Sequence, residues 1–194
     1  MPPVGRPPAT RGVFNLEERT FVPPTEIVLD SSFVAEALIT TQPRHAVCAG
    51  FLEDIAAAET TVFFNRLLEA ELWDFCYVIA VAEVYGRRRA RAALRDGRIR
   101  RRGTTLRNRV VDAWEALLNA LDWLVVDLSE VWPWVPQMMR YGLRSNDAVH
   151  AATAAYVDVK AIATLDYDFS AVPARHLELY VPAHRVRACR ERRR

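Results

Sequence analysis

Short apolar runs separated by helix-length stretches constrain this chain more than any other feature. Ile27-Val28-Leu29, Thr60 to Phe64, Trp123 to Leu128, Ala161 to Leu165 and Leu177 to Val181 are of strand length, and several are β-branched or aromatic. Ser31 or Ser32 can cap a first helix carrying Phe33, Ala37 and Leu38, and a second is predicted over 44–58. A third, over 65–85, is apolar nearly all round, which predicts burial, and Gly86 ends it. Leu106, Val110, Trp114, Leu117 and Leu121 recur at three- and four-residue spacing, an amphipathic helix. Further helices are predicted over 135–141 and, capped by Ser145, over 146–157. Strands alternating with helices imply an α/β fold, a mostly parallel sheet covered on both faces.

The 194 residues suit one domain with a sizeable core. Six of the eleven prolines fall at positions 2, 3, 7, 8, 23 and 24, so residues 1–25 are read as a disordered or extended arm. The domain then spans 26–182, with an arginine-rich helical insertion at 86–122 and a basic tail at 183–194. Net charge is only +2, so the molecule as a whole is no basic nucleic-acid glue. Cys48, Cys76 and Cys189 show no metal or disulfide spacing, and the first residues lack signal-peptide character. A reducing cytoplasm is therefore expected. The most apolar stretch, Leu72 to Ala82, is short of the about 20 residues a membrane helix needs.

Four acids stand on structural punctuation. Asp30 follows the first apolar run, Glu71 sits in Leu67-Leu68-Glu69-Ala70-Glu71-Leu72, Asp147 opens the alanine-rich helix, and Asp166 follows the fourth run. In an open α/β sheet the site lies beyond the carboxyl ends of the strands, and all four point to that rim. Each also has a plainer reading. Asp30 can end a strand, Asp147 can favour a helix dipole, and Asp166 can serve a turn. Glu71, among Leu67, Leu68, Leu72, Phe75 and Ile79, needs a cation, an arginine or a metal if buried. Glu69 and Asp74 replace it if the register differs. Together the acids suit Mg²⁺, a hard ion taking oxygen ligands, which activates water for displacement at phosphorus.

Val28-Leu29-Asp30-Ser31-Ser32, Glu71-Leu72, Ser145-Asn146-Asp147-Ala148-Val149-His150-Ala151-Ala152-Thr153-Ala154 and Ala163-Thr164-Leu165-Asp166-Tyr167-Asp168-Phe169 together resemble the PIN-domain ribonucleases. The nearest group is the VapC-type toxins of toxin–antitoxin pairs. The resemblance covers roughly 26–182. It implies a three-layer α/β/α fold and Mg²⁺- or Mn²⁺-dependent endonucleolytic cleavage of RNA, of the tRNA or rRNA class, leaving 5′-phosphate and 3′-hydroxyl ends. Asp30, Glu71, Asp147 and Asp166 fall where the family keeps its catalytic, metal-binding acids. Asp168 lies in the final motif, and Ser32 matches a hydroxyl beside the first aspartate. An antitoxin protein and a homodimer follow by the same resemblance. The long gap between Glu71 and Asp147, the arm and the tail depart from a compact toxin.

Arginines at 87, 88, 89, 91, 95, 98, 100, 101, 102, 107 and 109 face one acid, Asp96, within their stretch. They can track an RNA backbone, with Arg100, Arg101 and Arg102 as substrate contacts, or form a solvated face. Trp114 is read as core or dimer contact. His150 is read as packed, with a place beside the metal as the alternative. A non-catalytic PIN-like module binding RNA or protein is the rival function. A haloacid-dehalogenase-type phosphatase needs an aspartate where Ser32 stands, and a receiver domain needs a lysine after a late strand.

Overall fold

Six strands form one sheet in which every pairing is parallel: β1 (Val13–Asn15), β2 (Glu26–Leu29), β3 (Thr61–Asn65), β4 (Asp122–Val126), β5 (Ala161–Ala163) and β6 (Glu178–Val181), in the order β1-β6-β5-β2-β3-β4. The structure is a computed structural model describing residues 12–18, 22–86 and 96–193. Ile27, Val28, Leu29, Ile162 and Ala163 are fully buried, as expected for central strands with helices over both faces.

From β2 the chain passes through α1 (Ser31–Leu38) and α2 (His45–Ala57) to β3, then through α3 (Arg66–Tyr85) and α4 (Gly97–Leu118) to β4. It returns through α5 (Leu128–Val131), a 3₁₀ turn at Trp132–Trp134, α6 (Val135–Arg140) and α7 (Ser145–Tyr156) to β5, on the other side of β2. Right-handed crossovers running in opposite directions place their helices on opposite faces, which makes three layers, α/β/α. The reversal between β2 and β5 opens a crevice where the carboxyl ends of these neighbours meet.

Asn65 explains how α3 meets α7. Its carboxamide oxygen accepts from the Leu67 N–H at 3.0 Å, capping α3, and its Nδ2 donates to the buried Thr153 Oγ1 at 2.7 Å. The first turns of α3 are thereby pinned to α7. At the other end Gly86, with φ +75°, closes α3. The side chain of Asp96 caps α4 through the Arg98 N–H at 2.8 Å, so this helix begins well before Leu106. Gly103 allows the α3–α4 contact: a Cβ there would stand 2.3 Å from Tyr77 Cδ1.

Four sequence expectations change. The expected arm contributes β1, which pairs with β6, although residues 1–11 and 19–21 lie outside the described residues. The expected tail forms α8 (Ala183–Arg192), which packs on β1 because Arg190 and Arg193 reach main-chain carbonyls there. The strand expected at 123–128 is β4 and ends at Val126, since Asp127 caps α5 through the Ser129 N–H. Helix α3 is not buried all round, for Trp73, Phe75, Val78, Val84 and Tyr85 remain exposed. Arg87, Arg88, Arg89, Arg91 and Arg95 lie outside the described residues. Among those described, no helix is long and apolar enough to cross a membrane.

Candidate metal centre

Asp30 leaves the end of β2, and its N–H bonds the Ala163 carbonyl of β5 at 3.1 Å. That backbone bond sets Asp30 beside Thr164. Thr164 Oγ1 donates to Asp30 Oδ2 at 2.7 Å, and Ser32 Oγ donates to the same oxygen. Ser32 Oγ also accepts the Leu165 N–H at 3.1 Å, so one hydroxyl ties the two strand ends together. The Asp30 side chain is buried, which pushes its pKa up, with His150 and the two hydroxyls opposing the rise.

Glu71 approaches from the second turn of α3. Its Oε1 accepts from Asn146 Nδ2 at 2.5 Å and its Oε2 lies 2.7 Å from His150 Nε2. Burial works to raise its pKa. The hydrogen bonds from His150 and Asn146 outweigh that and hold the carboxyl below its ordinary value. His150 is itself buried, and its Nε2 also lies 3.8 Å from Asp30 Oδ1. Burial opposes its charge, but Glu71 and Asp30 prevail and hold the imidazole above its ordinary pKa. His150 thus sits between two carboxyl groups that favour its charged form.

The other acids form a second group. Asp166 caps the 3₁₀ turn Tyr167–Ala171, accepting the Asp168 N–H at 2.8 Å, and its own N–H bonds Thr164 Oγ1 at 2.9 Å. Asp147 lies in the first turn of α7. Asp147, Asp166 and Asp168 each offer a carboxylate oxygen, and these oxygens lie within 4.8 Å of one another. Burial, then Asp166 and Asp30, push the Asp147 pKa up to about 6. Arg192, the last residue of α8, pairs with Asp168 through Nη1.

Hard oxygens at this spacing, with a carboxylate whose charge is disfavoured by its neighbours, suit a divalent cation of the Mg²⁺ or Mn²⁺ kind. The profile of the PIN domain matches residues 27–175, the stretch that carries all five acids. The chain belongs to the PIN domain family. No curated protein matches it. PIN domains are generally nucleases that act on RNA and commonly use divalent metals, and the acidic cluster stands in that setting. In this PIN domain β1, β6 and α8 lie beyond the matched residues.

The sequence-derived site residues divide. Asp147, Asp166 and Asp168 converge directly, while Asp30 and Glu71 meet across His150. Ser32 stands beside Asp30, as its motif suggested. Glu69 is accounted for elsewhere, by Arg66 at 2.8 Å and by Trp114 Nε1 at 3.1 Å. Trp114 is core, edge-on to Phe64 at 5.1 Å. Arg102 pairs with Glu83 at 2.7 Å. Glu83 is about 18 Å along α3 from Glu71. Arg100 and Arg101 are exposed on the same turn of α4. Sequence reasoning missed Thr164 and Asn146, although both flank acids already singled out. It read His150 as packed, with a place beside the metal, three residues past Asp147 on one helix, as the alternative; the residue is buried and reaches Glu71 as well.

Proposed function

We propose that this PIN domain is a metal-dependent endoribonuclease. The observation that carries the reading is the convergence of Asp147, Asp166 and Asp168 within 4.8 Å of one another beside the Asp30–His150–Glu71 set. Asp147, Asp166 and Asp168 are the residues to hold Mg²⁺ or Mn²⁺. Such an ion supplies Lewis-acid stabilisation of a phosphodiester and a more acidic water. The chain's own groups do the positioning. Ser32 and Thr164 fix the Asp30 carboxylate, Asn146 and His150 fix Glu71, and Arg192 fixes Asp168. Asp30 and Glu71 then orient the attacking water by accepting its hydrogen bonds, and the 3′-oxygen departs, leaving a 5′-phosphate. Arg100 and Arg101 are proposed to meet the RNA backbone away from the cut, with Arg102 held by Glu83.

A role as the toxin of a toxin–antitoxin pair, as a homodimer in the cytoplasm, belongs to this reading. Exposed Trp132 and Leu124 offer apolar surface for another chain, and the three free, buried cysteines suit a reducing compartment.

The test is cleavage of a mixed tRNA and rRNA pool by the purified protein with Mg²⁺ or Mn²⁺, beside EDTA and Asp30→Ala controls. Cutting that needs the metal and disappears in the variant supports the nuclease. Metal binding without cutting points to a narrow substrate or a retained inhibitor, and absence of metal binding favours the binding-module alternative.

A further inference from the structure

A groove of about 1030 Å³ opens beside the acids. Ser32, Asp166 and Tyr167 line it at the acidic end, and Arg44, His184 and Arg185 line it as well. Two of these cations are uncommitted. The Arg44 and Arg185 side chains make no hydrogen bond or ion pair among the described residues, and Arg185 Nε is buried without a partner. The groove's other acids are satisfied: Glu36 accepts the Arg44 N–H at 2.5 Å and Glu83 takes Arg102 at 2.7 Å. His184 is held below its ordinary pKa, first by burial and then by the charges of Arg44 and Arg185.

The position of these cations relative to the acids is set by Tyr167. Its ring lies 5.8 Å from the Arg185 guanidinium and 5.0 Å from that of Arg192, which also pairs with Asp168. Asp166 and Tyr167 are consecutive, with Cα atoms about 3.8 Å apart. The Arg185 guanidinium therefore lies over the ring that follows Asp166 in the chain, in the groove that Asp166 also lines. Arginine presents a planar fork of donors that matches phosphate oxygens and is weakly hydrated. Aromatic and apolar side chains share the groove's lining and are open to solvent: Tyr167 is 44% exposed, Phe75 39% and Val78 41%. Such walls receive unstacked bases, which a duplex does not present.

We propose that Arg44 and Arg185 form a phosphate-binding subsite that holds single-stranded RNA by a phosphate flanking the one presented to Asp147, Asp166 and Asp168. The proposal rests on the endoribonuclease reading and adds to it the direction in which the strand leaves the acids. Arg185 belongs to α8, outside the residues matched by the PIN profile, and Arg44 lies within them, so α8 completes the subsite from beyond the matched stretch.

The experiment is fluorescence anisotropy of a labelled single-stranded RNA oligonucleotide, and of its duplex, with the full chain in EDTA, at salt from about 50 to 200 mM. Wild type is compared with Arg44→Gln/Arg185→Gln, with Arg44→Lys/Arg185→Lys and with Arg100→Gln/Arg101→Gln. The groove Gln pair is expected to weaken single-strand binding at least tenfold and to lower the salt slope by about 0.7, the value for one phosphate contact. The Lys pair restores the slope, which a misfolded protein would not do. Equal losses on duplex and single strand overturn the proposal. An unchanged slope in both groove variants, with wild type binding RNA, also overturns it, leaves the nuclease reading standing and gives the groove to a protein partner. Wild type that binds no RNA overturns the nuclease reading and the subsite together.

Discussion

His150 Nε2 lies 2.7 Å from Glu71 Oε2 and 3.8 Å from Asp30 Oδ1, so one buried imidazole stands between a carboxyl group from a helical layer and one from the sheet. Asp30 belongs to the end of β2, Glu71 to α3 and His150 to α7. The contact joins both helical layers to the sheet at its switch point, and it does so through charge rather than apolar packing.

Replacing His150 with Leu keeps most of the volume and removes the imidazole that Glu71 and Asp30 share. Two carboxylates then face each other with nothing between them. Breaking a buried pair on one side costs about 3 kcal/mol or more. Denaturant unfolding in EDTA should show that loss. Millimolar Mg²⁺ or Mn²⁺ should restore more stability to the variant than it adds to wild type, because a divalent cation becomes the remaining positive charge at the site. Equal stability of variant and wild type in EDTA would mean that His150 does not hold the carboxylates apart.

Asp147 sets a pH dependence with the opposite sign from an ordinary ion-paired aspartate. Burial, with Asp166 and Asp30 beside it, raises its folded pKa from 3.8 to about 6. The folded protein therefore holds this proton more tightly than the unfolded chain does. The stability it contributes is fully present below pH of about 4 and is lost as pH rises through about 6. Glu71 runs the other way, since its folded pKa is lowered and its contribution disappears as pH falls below that value. Subtracting the melting curve of Asp147→Asn from that of wild type isolates the Asp147 part. In metal-free buffer the difference should grow between about pH 4 and pH 7, with the variant the more stable at neutral pH. A difference that stays flat across this range would show that Asp147 titrates normally.

The sequence revealed the sheet centre and the acids because both follow local rules. β2, β3 and β5 are runs that must be buried on both faces, and Asp30 and Asp166 end two of them, so their convergence follows from topology alone. Gly86 and Asn65 mark the ends of α3 by equally local chemistry. What stayed hidden depends on long-range contacts. β1 is three residues, Val13–Asn15, within a proline-rich stretch, and becomes a strand only because the β6 edge is there to pair with it. The exposed face of α3 was read as buried because periodicity reports apolar character and not whether a second layer covers it. The grouping of the acids was equally invisible, since His150 divides them by a contact seventy-nine positions away in the chain. Residue type showed that Glu71 needs a partner. Only the docking of α3 on α7 showed that the partner is an imidazole.

The same long-range logic governs the C-terminal end. Arg193 donates to the Gly12 carbonyl at 2.9 Å, to Val172 at 3.1 Å and to Leu177 at 2.8 Å. Burial lowers its pKa to about 10, which leaves it charged at neutral pH. One guanidinium thus ties β1 and α8 to the loop ahead of β6. Arg193→Ala strips these carbonyls of their donor in a partly buried setting, and hydrogen bonds to a charged group contribute about 1.5–3 kcal/mol each. The loss should be local. Hydrogen exchange is expected to show the amides of Val13, Phe14 and Asn15 losing protection first, while those of β2 and β5 keep theirs. Arg193→Lys should recover only part of the protection, because an ammonium does not span carbonyls in the directions a planar fork reaches. If β1 keeps its protection in Arg193→Ala, the Arg193 bonds do not hold the strand, and its pairing with β6 and the Arg190 bond to the Val13 carbonyl suffice.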